Sequence, residues 1–463
     1  MSRGLLPGLL LAALMWPSPV AAQGNTDDSK RIEALEYRLK AVEDQNRQLS
    51  DELRAVKEKS AAAAAPGPVT AAKKDLGLSA VWKDGFRLRS DDGNFDGHFG
   101  GRFVFHNRTF TSETRDSDTF YVKEIGLQAN GTIYKDFDYD ILGLFVGNSA
   151  KLQDAVMTWK RYPYLTVRAG LFKEAFSEET LRSVLNADFA ENSPMSLLAP
   201  GRDYGLQLGG STWEKRLEYQ VAFFNGNGQA NTADSNDDKD VAARLVLSPF
   251  APSDDKWLKG IRIGGAMTYG SEKHTFGSLS DPASGTQFLT MNANVLNRED
   301  RRRWNVEGAW LAGPFKLQGE ATWMDATLSR GGVAGTREPV EDIIGFNSWY
   351  VEGLWVATGE DATLGRRKPA KNFLDEGAIG ELELAFRFSQ FSVDDDVFSR
   401  GFANSSVSTS GYDQYIIGAN WYLNPNVRFT LDVFHNDFDE DVKIDSHTES
   451  DENGILTRFQ IDF

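Results

Sequence analysis

RRWNVEGAWLAGPFKLQGEATWMD, residues 302–325, reads as two strands folded over a tight turn at Ala312-Gly313-Pro314. Trp304, Val306, Gly308 and Trp310 fall on one face of the first strand, against Arg303, Asn305 and Glu307 on the other, because successive strand side chains point to opposite faces. Past the turn, Phe315, Leu317, Gly319 and Trp323 alternate with Lys316, Gln318 and Glu320. One face suits hydrocarbon and the other water, the pattern of strands crossing a bilayer in a closed barrel.

The alternation recurs on both sides of this hairpin. Phe99, Gly101, Phe103 and Phe105 stand against His98, Arg102, His106 and Arg108, and Leu382, Leu384, Phe386 and Phe388 against Glu381, Glu383 and Arg387. Strands are predicted near 98–108, 120–130, 136–147, 152–160, 165–172, 203–212, 216–225, 239–248, 259–270, 302–311, 314–325, 346–357, 377–391, 412–423, 426–436 and 454–463. Tight turns such as Tyr134-Lys135-Asp136 and Asn424-Pro425 alternate with longer polar segments at 173–202, 271–301, 326–345, 392–411 and 437–453. Short turns at one end and long loops at the other describe an outer-membrane barrel of about 16 antiparallel strands. A soluble sandwich would also alternate, but would not readily give this rhythm, aromatics at strand ends and a closing aromatic strand residue, Phe463. Two connections break the rhythm, a very short loop near Asn148 and a long one at 358–376.

Ahead of the barrel, residues 1–22 read as a signal peptide: Arg3, an apolar run from Leu5 to Trp16, then Val20-Ala21-Ala22. From 30 to 59 the period becomes seven. Ile32, Leu35, Leu39, Val42, Asn46, Leu49, Leu53 and Val56 form the seam of an α-helical coiled coil, with Asn46 fixing register, so an oligomer is expected. The run Ala61 to Pro68 opens a linker, 60–84, before a barrel domain at 85–463.

The formal charge of −17 argues against nucleic-acid binding. Cysteine is absent, and the five histidines are too scattered to suggest a metal cluster. A barrel lipase built on His106 or His435 lacks a recognisable motif, so neither catalytic residues nor a cofactor are expected.

The function then rests on the lumen. By alternation Arg102, Arg168, Arg244, Arg262, Arg303, Lys316, Arg387, Arg428 and Arg458 point inward. Loop 173–202 carries Val184, Leu185, Phe189, Met195, Leu197 and Leu198, too apolar for an external loop. It is predicted to fold inward as a constriction, with Arg168, Lys173, Arg182 and Arg202 beside it. Guanidinium groups hold oxyanions in a fork, and several moderate sites permit release, so one reading is an anion path. Glu218, Glu307, Glu320, Glu352, Glu381, Glu383 and Asp432 share the face and support another, a bracing salt-bridge lattice. From Lys173 to Asp203, six acidic side chains outnumber three basic ones, and acids at a pore mouth favour cations.

Six stretches carry a resemblance to the phosphate-selective porin family, O and P type: Gly100–Phe103, Gly131–Tyr139, Gly170–Phe176, Ala199–Arg202, Asn420–Arg428 and Arg458–Phe463. It spans about Gly85 to Phe463 and implies a sixteen-stranded trimeric porin, a third loop inside each lumen, and a basic path for anions. It also makes sense of the coil as a bundle of three chains. Phe120-Tyr121-Val122-Lys123-Glu124-Ile125-Gly126-Leu127 departs from the arginine-rich character of many members, with Lys123 the main basic residue. The function expected is passive diffusion of small solutes across the outer membrane, anions such as phosphate or polyphosphate first. A general or cation-preferring porin, and a barrel tethering an envelope partner through its coil, are the alternatives.

Overall fold

The structure, a computed structural model, describes residues 77–463 apart from 83–84, 112–117, 148, 227–237, 272–273 and 332–338, with scattered residues between Lys40 and Arg54. The chain divides into two units, 1–75 and 76–463. In the first, Lys40, Glu43, Asp44, Arg47 and Glu52 are among the described residues, all helical and exposed. The eight predicted seam positions and residues 1–22 lie outside the described residues.

The second unit opens with a hairpin, β1 (Leu78–Trp82) and β2 (Phe86–Ser90). Sixteen long strands follow among the described residues. They are β3 (Phe95–Phe110), β4 (Thr119–Ile133), β5 (Phe137–Val146), β6 (Ser149–Tyr162), β7 (Leu165–Lys173), β8 (Arg202–Thr212), β9 (Leu217–Phe224), β10 (Asp240–Leu247) and β11 (Ile261–Ser271), then β15 (Val295–Ala312), β16 (Phe315–Arg330), β17 (Val340–Val356), β18 (Glu381–Val393), β19 (Gly411–Asn424), β20 (Val427–Ile444) and β21 (His447–Asp462). The short β12 (His274–Thr275), β13 (Leu279–Ser280) and β14 (Gln287–Leu289) lie in the connection between β11 and β15. Each long strand pairs antiparallel with the next, and β21 returns to β3 from Gly454↔Phe110 to Asp462↔Arg102, closing the barrel. Phe463 continues the seam by exchanging two backbone hydrogen bonds with Gly101, both 2.9 Å.

Burial is inverted relative to a water-soluble protein. Leu127, Met157, Phe223, Ile263, Val306, Trp355, Phe386 and Ile417 are exposed on the outer face, whereas Gln207, Asn305, Gln318, Glu352, Arg387, Asn420 and Thr430 are buried inside. Such an arrangement is stable only where the outer solvent is apolar.

Each of the sixteen predicted strands corresponds to one of the long strands, but four differences matter. The predicted linker 60–84 contains β1. Segments 326–345 and 437–453, expected as loops, are largely strand, because β16, β17, β20 and β21 run on beyond the predicted ends. Backbone pairing needs no apolar outer face once the strand leaves the bilayer, so Asp437, Asp439 and Asp441 can face outward there. Segments 271–301 and 392–411, expected as polar loops, send Phe288, Leu289, Val397, Phe402 and Ala403 into a buried cluster with Phe346, Phe391 and Tyr412. Part of the lumen is therefore packed rather than aqueous. Finally, 357–380, the long exception among the connections, joins β17 to β18 on the short-turn side.

Gly170 interrupts β7 with φ +130°, and a Cβ there would lie 2.1 Å from the Ala155 carbonyl oxygen. The kink lets Phe172 reach Val156, Ala222, Phe224 and Ala242 inside the wall. Gly170→Ala is expected to cost about 1–3 kcal/mol of local strain. Heat-modifiability on SDS gels should read this as a lower temperature for loss of the folded band.

Candidate functional site

Residues 174–201 leave β7, cross the lumen and return at β8, and their conformation is set locally at each bend. Ser177 caps the turn Glu178–Leu181 by accepting from the Thr180 amide at 3.2 Å, and Ser183 caps Val184–Asn186 in the same way. The wall then holds the backbone. Glu307, Glu320 and Asp432 accept from the amides of Glu178, Glu179 and Ala190 at 3.1, 2.7 and 2.7 Å. Arg428 donates to the Ala187 carbonyl at 2.6 Å, and Arg387 to that of Glu191 at 3.2 Å. Phe189, Met195 and Leu198 are buried.

Glu178, Asp188 and Glu191 of this loop face basic side chains of the wall, whereas Glu179 also lines the open space. Glu178 pairs with Arg244 at 2.9 Å, and Glu191 with Lys123 at 2.6 Å and His106 at 3.4 Å. Glu179 accepts from the Ser193 amide and hydroxyl, both at 2.7 Å. Asp188 is met by Lys316, by Arg182 at 2.6 Å and by Arg367 at 3.0 Å. Burial alone would raise the Asp188 carboxyl, but these three cations outweigh it and hold it well below the usual carboxylate range. Burial likewise opposes ionisation of Glu191, and Lys123 with His106 overcomes it, leaving the group at about 2.

Between the loop and strands β3–β8 lies a cavity of about 630 Å³. Arg102, Arg168, Lys173, Arg182 and Arg202 line it with Glu124, Asp140, Asp154 and Glu179, five basic side chains against four acidic. Most of these charges are already engaged. Arg102 pairs with Glu124, and Arg202 grips Asp154 through Nε and Nη2 at 3.0 and 3.1 Å. Lys173 donates to the Thr180 and Arg182 carbonyls at 2.6 and 2.8 Å, closing the loop on itself. Arg168 forms no ion pair with any described residue; its guanidinium lies 4.7 Å from the centre of the Phe172 ring.

The remaining predicted lining residues are elsewhere. Arg244, Arg303, Lys316 and Arg428 are buried, the first three against Glu307, Thr268 and Asp188 and the last against loop carbonyls. These side chains are turned inward, but the inward face on their side of the barrel is covered. Arg262 is half-buried, 3.6 Å from Glu178 and 3.7 Å from Glu218, outside the cavity. Arg367 went unnoticed because it sits in the irregular 357–380 connection; the run Arg366-Arg367-Lys368 was the available signal.

The sequence profile described as Phosphate-selective porin O and P matches residues 85–463. This chain belongs to that family. The porin is 22% identical to Porin O of Pseudomonas aeruginosa, over 82% of this chain and 88% of that protein. In fold it is similar to OprB of Pseudomonas putida (12% identity, TM-score 0.51, 79% of this chain and 94% of that one). OmpF of Salmonella typhi aligns with TM-score 0.50 at 14% identity, over 83% of this chain and 100% of that one. The porin is a bacterial outer-membrane channel through which solutes diffuse passively.

Proposed function

We propose that this porin favours small anions, phosphate among them, and that Arg168 carries the preference. The supporting observation is the division of charge across the third loop. Glu178, Asp188 and Glu191 are turned to basic side chains of the wall, while Arg168 faces the cavity without forming an ion pair with a described residue. A guanidinium engaged in no direct ion pair beside a narrow water-filled path, even with Asp140 and Asp154 nearby, raises the local concentration of anions. The name of the family supports phosphate as the solute to test.

The paired Arg102–Glu124 and Arg202–Asp154 favour a second reading, a general porin with little preference. Reversal potentials of single channels in asymmetric KCl separate the two. Chloride preference, with phosphate reducing chloride current, is expected; cation preference without phosphate block would sink the proposal. We also infer a homotrimer bundled by a coiled coil at 30–59 in the periplasm, supported by the helical residues between Lys40 and Arg54. Envelope attachment through that coil is an alternative role. Deleting 23–70 should lower the oligomer seen in unheated gels while leaving conductance per channel unchanged.

A further inference from the structure

Asp188 is reached from the opposite end of the barrel. Segment 357–380 connects β17 to β18 on the short-turn side, yet its Arg367 is only 3% exposed. The guanidinium organises its own turn by donating through Nη1 to the carbonyls of Thr363 and Gly365. Its Nε donates to Glu383 of the wall at 2.5 Å, and its Nη2 to Oδ1 of Asp188 at 3.0 Å. Neighbouring Arg366 pairs with Asp462 at 2.8 Å and donates to the Pro425 carbonyl at 2.9 Å, fastening the turn to the last strand.

The two oxygens of Asp188 are divided between elements. Oδ2 takes Lys316 of β16 and Arg182 of the loop, while Oδ1 takes Arg367 of the turn. Arg182 also lines the cavity. A continuous chain of charge-assisted contacts thus runs from the short-turn side, through Arg367 and Asp188, to a cation at the edge of the diffusion path.

We propose that Arg367 is a positioning residue for the constriction: from the periplasmic side it fixes where the third loop stands, and through Asp188 it fixes where Arg182 meets the cavity. The proposal rests on the cavity being the diffusion path, but not on its ion preference. Loss of this contact frees the loop segment around Asp188 to take more than one position, so the channel should lose its single steady open level.

Single-channel recordings of the full chain carrying Arg367→Met, Arg367→Lys, Asp188→Asn, or Asp188→Asn with Arg367→Met test it. Arg367→Met should show sublevels and rapid transitions, and should add nothing further to Asp188→Asn, because residues acting through one contact are not additive. The single ammonium of Arg367→Lys cannot serve Glu383 and Asp188 in the guanidinium's fixed fork, so it should show the same sublevels less often. If Arg367→Met does not yield a folded, heat-modifiable barrel, Arg367→Lys is read alone. A quiet open level of parental conductance in the folded variants, or full additivity with Asp188→Asn, overturns the proposal. The parent's ion preference, measured separately, decides the preceding reading whichever way the sublevels fall.

Discussion

Asp188→Asn should convert a steady channel into a fluctuating one with conductance sublevels. The carboxylate is 3% exposed and receives Lys316, Arg182 and Arg367. Asparagine preserves its shape but removes the charge that brings three buried cations together, and its amide would turn donors toward donors. Breaking a buried ion pair by removing one partner costs about 3–5 kcal/mol. The barrel wall, joined by backbone hydrogen bonds from β3 to β21, is expected to survive, so the loss falls on the loop. Planar-bilayer recordings would show it, and an unchanged quiet open level in a folded protein would refute the anchoring role. Because Asp188 has its carboxyl depressed, its contribution is present above the ordinary carboxylate range and is lost only as pH falls through the lower value it has in the folded protein. Mild acid should therefore leave Asp188 ionised and its three cations in place.

Arg168→Glu should reverse the ion preference. Two unit charges about 4 Å apart in water interact by about 1 kcal/mol. A change of two charge units beside the path is thus worth about 2 kcal/mol for each ion, in opposite senses, so at low salt the local anion level falls and the local cation level rises by roughly 30-fold each. The shift should shrink as salt rises, since screening acts on exposed charges. Arg168→Gln should fall between the two. It also serves as the milder variant, because a glutamate there would stand near Asp140 and Asp154. A reversal potential indifferent to all three side chains would remove Arg168 from the selectivity mechanism.

Much of this fold was legible because the membrane imposes a simple rule on long segments. Outer residues such as Val306, Leu317 and Phe386 must be apolar wherever the strand crosses lipid, so period two survives every local preference. The rule lapses beyond the bilayer, which is why the ends of β16, β17, β20 and β21 were missed. The fate of charged inward residues was harder to read. Arg168 and Arg428 have the same alternation signature, yet one lines the cavity and the other holds the carbonyl of Ala187. What separates them is which wall the third loop leans on, a tertiary fact with no period. The apolar character of that loop did mark it for burial. The same test applied to Phe276, Phe288, Leu289 and Phe402 would have marked the other packed loops as well.

The lower edge of β3 is shared. β2 pairs with it from Phe86↔Phe99 to Arg89↔Asp96, while β21 begins at Asp462↔Arg102, and Trp82 of the hairpin stacks on Phe463 at 5.9 Å. β21 therefore meets an edge of β3 that is occupied below by β2. A closing strand that slid two residues toward the short-turn side would collide with β2 and carry Phe463 past its aromatic partner. The hairpin thus stands against the seam at the position where a shift of β21 would change the shear, on which the barrel's diameter depends. It also shortens the open edge that β3 exposes until the seam forms, the stretch at which a half-assembled barrel would otherwise recruit a stray strand.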